Sequence, residues 1–235
     1  MATKVIEIPD IGPVTLYKRR GNRSLRLSVA ADGEIRVSLP SWVPYLAGEQ
    51  FVRSKIDWIR AHQIKPSSDL QQGQAIGKAH HLHFEPVARA TKITTRLQQN
   101  QIQIFHPATL DTAHPHVQKA AQAACIRALR KEAEQLLPQR LKELAERTGY
   151  TYRNVDIKQM KSRWGSCSAN KDITLNLFLM QLPWRLIDYV LMHELTHTKV
   201  MRHGAPFWQE LEKHVPHAKS LRKEIAKHHP VLAGN

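Results

Sequence analysis

A chain of 235 residues can bury a core of its own, as one domain or two packed subdomains. Its formal charge of +15 and pI of about 10.1 favour acidic partners, nucleic acid first among them. Two widely separated cysteines, Cys125 and Cys167, exclude a disulfide framework, and no apolar run approaches the length of a membrane span. The opening MATKVIEIPDIGPV lacks the basic-then-apolar pattern of a secretion signal, so a reducing cytoplasm is the expected compartment.

From Val5 to Pro40 the hydrophobic period is two. Leu25, Leu27 and Val29 alternate with Arg26 and Ser28, and Ile35, Val37 and Leu39 alternate with Arg36 and Ser38. Ala31-Asp32-Gly33 between the two runs signals a hairpin turn. Lys18, Arg19, Arg20, Arg23, Arg26 and Arg36 lie on this ribbon, either as a phosphate-facing strip or as a solvated outer face. Val43 to Gln63 predicts a helix with Leu46, Phe51, Ile56, Trp58 and Ile59 as its apolar positions and Pro44 near its start; Pro66 to Gln74 reads as a surface loop. His80 to Glu85 and Ile93 to Phe105 are two strand candidates, with His81 and His83 on one solvent-facing side. His114 to Tyr150 is helical, with Pro138 expected to kink it or restart it and Gly149 to end it. Val155 to Trp164 and Asp172 to Met180 read as two strands joined by residues 165–171, the second with Ile173, Leu175, Leu177 and Leu179 on one face. Pro183 opens a further helix, and Pro206 to His214 and Ala218 to His229 read as two closing helices.

Chemistry concentrates in Leu186 to Phe207. His193-Glu194-Leu195-Thr196-His197 is a His-Glu-x-x-His pattern on an apolar helix. Residues four apart on a helix lie about 40° apart in azimuth, so both imidazoles can aim at one zinc ion. Glu194, about 100° round from His193, sits beside that point, where a carboxylate can take a proton from water acidified by the metal. His203 can be the third ligand only if the helix ends near Val200 to Arg202 and the chain folds back, with Gly204 helping to close it. The alternative is a carboxylate from the next helix, Glu210 or Glu212.

At SRWGSCS (Ser162 to Ser168), ITLNLFL (Ile173 to Leu179), DYVLMHELTH (Asp188 to His197) and RHGAPFW (Arg202 to Trp208) the sequence resembles the YgjP-like metallopeptidase-domain family. It is more distantly similar to SprT-like and other gluzincin-type zinc peptidases. The resemblance runs from about residue 16 to 216. It implies an α+β, zincin-like fold. A β-rich N-terminal subdomain (1–110) would precede a helical subdomain (111–235) that carries the metal helix. It also implies zinc held by His193, His197 and His203, with Glu194 as the catalytic carboxylate. Arg163 or the Trp164 indole are candidates to hold a developing oxyanion, with Ser166 and Asn176 as further substrate contacts. An extended peptide substrate is expected to pair with the strand Asp172 to Met180. Cys167 reads as a structural thiol, with a zinc-binding thiolate as the minor alternative, and Phe207 and Trp208 as packing behind the metal loop.

Two other functions stay open at this level. One is a metal-dependent nucleotide phosphohydrolase, because acidified water can attack phosphorus as well as carbon. The other is a nucleic-acid-associated protein whose zinc is structural, for which the basic surface speaks.

Overall fold

The computed structural model describes residues 3–9, 11–29, 34–62 and 69–232, and the chain divides into two compact units, Met1–Pro66 and Ser67–Asn235. In the first unit, strands β1 (Thr3–Ile8), β2 (Gly12–Arg19), β3 (Arg26–Val29) and β4 (Ile35–Pro40) form a sheet in the order β1-β2-β4-β3. The central pair β2–β4 is parallel and both outer pairs are antiparallel. The period-two pattern is realised: Val14, Leu16, Ile35, Val37 and Leu39 are buried on one face. The helices α1 (Tyr45–Arg53) and α2 (Ile56–His62) bring Val52 and Ile59 into the same core. Gly48 lets α1 come close, since a Cβ there would lie 2.6 Å from Leu39 Cδ2.

Two expectations for this unit need correction, and one falls outside the description. The single helix over Val43 to Gln63 is two helices, broken at Ser54–Lys55, where Ser54 Oγ donates back to the Phe51 carbonyl at 2.8 Å. Two of the helix's apolar positions, Leu46 and Trp58, are 65% and 41% exposed, so the apolar pattern does not map onto one buried face. The Ala31-Asp32-Gly33 turn lies outside the described residues, although the register Val29↔Ile35 on either side is that of a hairpin.

The second unit begins with a sheet of β5 (Ala75–Ile76), β6 (His80–Val87), β7 (Thr94–Gln98) and β8 (Gln101–Pro107) in the order β5-β6-β8-β7. The expected strand Ile93 to Phe105 is β7 and β8 joined by Gln99 and Asn100, both at positive φ (46° and 66°), as a two-residue type I′ hairpin demands. His81 and His83 are exposed on β6, as the alternation predicts. The sheet buries Leu82, Phe84, Ile102 and Ile104 in one cluster with Ala121, Ala124 and Ala128 of the long helix α3 (Pro115–Thr148). That shared core places the division after Pro66, whereas the sequence put it near residue 110.

Buried Glu132 of α3 ties the two together, accepting from the Lys78 and Ala79 amides at 2.7 and 3.0 Å and facing His80 Nδ1 at 2.6 Å. α3 runs unbroken through Pro138; the carbonyl that loses its donor belongs to Glu134, an exposed residue where water can replace the bond. Gly149, at φ 70°, ends the helix as expected.

A three-stranded sheet follows: β9 (Asn154–Lys158), β10 (Gly165–Cys167) and β11 (Asp172–Asn176), ordered β10-β11-β9. Both predicted strands are shorter than expected, and residues 165–167, read as connector, are a strand. β11 stops because Asn176 caps a 3₁₀ turn, Leu177–Gln181, its Oδ1 accepting from the Phe178 amide at 3.2 Å. The turn buries Leu177, Phe178, Leu179 and Met180 together, so the two-faced strand pattern ends at Asn176. Three helices close the chain: α4 (Trp184–His197), α5 (Ala205–Glu212) and α6 (Ala218–Ile225).

Candidate metal centre and catalytic carboxylate

Pro183 starts α4, and Leu186, Ile187, Val190, Leu191 and Leu195 bury it, so the helix that carries His193 and His197 is anchored in the core. α4 ends at His197, three residues earlier than expected, with Thr198 as its cap. The chain then folds back and sets His203 Nε2 2.9 Å from His193 Nε2 and 3.1 Å from His197 Nε2. Gly204 works differently from the expectation: at φ −88° and ψ −174° it is the extended N-cap of α5, followed by Pro206 in the first turn.

These two separations, with all three ligand atoms within 4.8 Å of one another, suit a single zinc ion. Tetrahedral ligands at about 2.0–2.1 Å from zinc lie roughly 3.3 Å from one another. The ring pairs also stand at centroid distances of 4.9, 4.9 and 4.5 Å, as imidazoles converging on one point must. His197 Nδ1 donates to the Val200 carbonyl at 3.2 Å, which leaves a lone pair on Nε2. Burial first, and then the neighbouring His197, His203 and Arg222, push the His193 pKa down to about 3. Burial and His203 lower His197 as well. Both rings are therefore neutral near pH 7, the form that binds a divalent cation. Phe207, fully buried, packs 4.8, 4.6 and 4.7 Å from the three rings, and Trp208 lies 6.2 Å from His193 and from His203. Neither carboxylate alternative joins the three-histidine cluster. Glu210 accepts from Tyr150 Oη at 2.8 Å and pairs with Lys199 and Lys213, while Glu212 is exposed.

Glu194 is 5% exposed and lies against β10. A Cβ at Gly165 would stand 2.7 Å from both Glu194 Cγ and Oε1, so the strand approaches the carboxylate more closely than any side chain permits. Burial pushes the Glu194 pKa up to about 8, with the Arg163 guanidinium pulling the other way. A carboxyl poised near neutrality beside three converging imidazoles has the two parts of a metal-assisted hydrolytic site, a cation cradle and a proton acceptor.

Comparison with protein-family models matches residues 23–228 to the YgjP-like, metallopeptidase domain. The chain belongs to the YgjP-like metallopeptidase family. Curated proteins give no match. Two solved structures are similar over part of this YgjP-like chain. The crystal structure of the metallopeptidase zymogen abylysin of Pyrococcus abyssi is 28% identical at a TM-score of 0.36. That of the metallopeptidase zymogen jannalysin of Methanocaldococcus jannaschii is 24% identical at 0.35. Each alignment covers 39% of this chain and 94% of the other.

The remaining expected site residues of this YgjP-like domain separate into two groups. Arg163 is exposed, and its charge acts on Glu194; Trp164 is half-buried, its carbonyl accepting from the Asn176 amide at 2.9 Å. Asn176, expected as a substrate contact, uses its side chain within the fold. It is fully buried, and its Nδ2 donates to the Met160 and Arg163 carbonyls at 2.7 and 2.8 Å, holding the loop before β10 in place. Ser166 alternates with Gly165 along β10 and so takes the opposite face from Glu194. Cys167 shares the Gly165 face. Burial, and next the Glu194 charge, raise its thiol to about 11, which suits an inert thiol better than a thiolate ligand.

The expected substrate strand also changes. β11 lies between β10 and β9, so its edges are taken, and β10 is the edge strand beside Glu194. Trp164 accepts from Asn176, and Ser168 donates to Asp172, at 2.9 Å each. By antiparallel alternation, the amides and carbonyls of Gly165 and Cys167 face away from β11, toward the free edge. The SRWGSCS motif contains Gly165, but the sequence alone assigns that glycine no role and does not predict this edge. The signal available was a glycine inside a short apolar-flanked run, which marks close backbone approach.

Proposed function

We propose that this chain is a zinc-dependent peptidase in which His193, His197 and His203 hold the metal and Glu194 is the general base. The approach of His203 Nε2 to within 3.1 Å of both His193 Nε2 and His197 Nε2, with a buried carboxyl on the residue after His193, carries the reading. A zinc ion held there supplies Lewis acidity, which polarises a carbonyl and acidifies water. Glu194 accepts a proton from the attacking water and passes it to the departing amine. Arg163, close enough to influence Glu194, is the candidate for stabilising negative charge on the substrate oxygen. The free edge of Gly165 and Cys167 offers main-chain hydrogen bonds to an extended peptide, which favours a peptide over a nucleotide substrate.

Metal analysis and turnover, measured together, test this. Wild type should bind one zinc and cleave a casein-like substrate. Glu194→Gln should keep the zinc and lose about 10²–10⁴-fold in kcat. His203→Ala should lose stoichiometric zinc. Turnover of nucleoside triphosphates but not of protein, abolished in Glu194→Gln, would transfer the site to phosphoanhydride chemistry. Full zinc with no Glu194-dependent turnover of either substrate would make the metal structural.

A further inference from the structure

We infer that one end of the N-terminal sheet is a binding face for single-stranded nucleic acid, independent of the metal site. Strand register carries the inference. Arg19 at the end of β2 stands opposite Pro40 at the end of β4, and Arg26 at the start of β3 stands opposite Ser38. The connection from β2 to β3 adds Arg20 and Arg23, so four arginines gather where β2 and β4 end and β3 begins. All four are exposed, and none forms an ion pair among the described residues. The acids of the sheet lie at its other end: Glu7 opposite Pro13, and Glu34 just before β4, where it pairs with Arg36.

The basic end also carries two exposed apolar side chains. Trp42, two residues past Pro40, is 75% exposed, and Leu46 in the first turn of α1 is 65% exposed. Between them Tyr45 lies under Lys18, whose Nζ is 5.1 Å from the ring centroid. Leaving an indole this far in water forfeits a hydrophobic gain and has no structural return. Guanidinium groups with no carboxylate partner among the described residues, at the same end of the sheet as an exposed indole, match the two parts of an unpaired nucleic-acid strand. Its phosphates take the cations, and its bases stack on the ring. A duplex offers no free base face for Trp42. An anionic bilayer would draw the same charge, but Trp42 and Leu46 alone present little apolar surface to insert.

Fluorescence anisotropy with labelled 20-nucleotide poly-dT and poly-U, using the full chain at several salt concentrations, tests the face. Binding is expected to weaken linearly in log salt, with the single strand preferred over a 20-base-pair duplex. Trp42→Ala should weaken single-strand binding about 5- to 100-fold. Arg19→Glu/Arg20→Glu/Arg23→Glu should weaken it more and flatten the salt slope. Both variants should keep wild-type circular dichroism, zinc content and any turnover of small peptides. Either variant binding like wild type overturns the proposal. Equal affinity for duplex with no effect of Trp42→Ala also overturns it, leaving only diffuse charge attraction. Binding to phosphatidylserine vesicles through the same residues, with no single-strand binding, reassigns the face to a membrane and sinks the nucleic-acid reading.

Discussion

The hydrogen atom that Gly165 carries in place of a side chain decides where Glu194 can sit. Gly165→Ala would drive a methyl group to within 2.7 Å of the carboxylate and push it aside. Displacement of about 1 Å at a reacting group can cost on the order of 100-fold. Gly165→Ala is therefore expected to lower kcat by about that factor while zinc content holds, a split that separates it from His203→Ala. The histidines make a second prediction, for metal-free protein. His193, held near pH 3 when folded, takes up a proton near its usual pKa of about 6.5 once unfolded. The unfolded chain binds more protons between those values, so this contribution is complete above pH 6.5 and lost as the pH falls toward 3. Thermal melts of chelated wild type should show falling stability over that window, and His193→Gln should flatten it. A pH-independent melting temperature in the wild type from pH 6.5 to 4 would contradict the assignment.

At the level of elements, Asn176 links the sheet to the site. Its side chain ends β11, caps the 3₁₀ turn and ties down the loop that leads into β10. Asn176→Ala removes the partner of the Met160 and Arg163 carbonyls and of the capped Phe178 amide, and should cost about 1–3 kcal/mol in chemical denaturation. An effect below about 0.5 kcal/mol would show that the loop holds itself. This element was misread from sequence because Ile173 to Met180 is apolar at nearly every second position and beyond. Such a run fits a strand as well as a 3₁₀ turn buried on all sides. α4 was legible because its spacing, its Pro183 start and its histidine pair all pointed one way. The Gln99–Asn100 turn was missed because it lacks the glycine that usually signals positive φ. β10 escaped because three residues are too few to set a period, and because its meaning rests on Glu194, distant in sequence.

In the whole molecule, two separate hydrophobic clusters, one per unit, predict that the metal stabilises only one of them. Zinc at 100 times its dissociation constant adds about 2.7 kcal/mol to the unit that binds it. For a unit of this size that is about 5–11 °C in melting temperature. Calorimetry should show chelation lowering the transition of the second unit and leaving the first in place; equal shifts of both would refute independent cores. The three imidazoles come from a short stretch in which His193 and His203 are ten residues apart. Closing so small a loop costs little entropy, so ion capture is a local event available to a chain still assembling. The carboxylate has no such autonomy. Its setting depends on a strand laid down almost thirty residues earlier, paired to β11 and pressed against α4. On the peptidase reading proposed above, metal loading would therefore precede the ability to cut, because only the carboxylate waits for the distant strand.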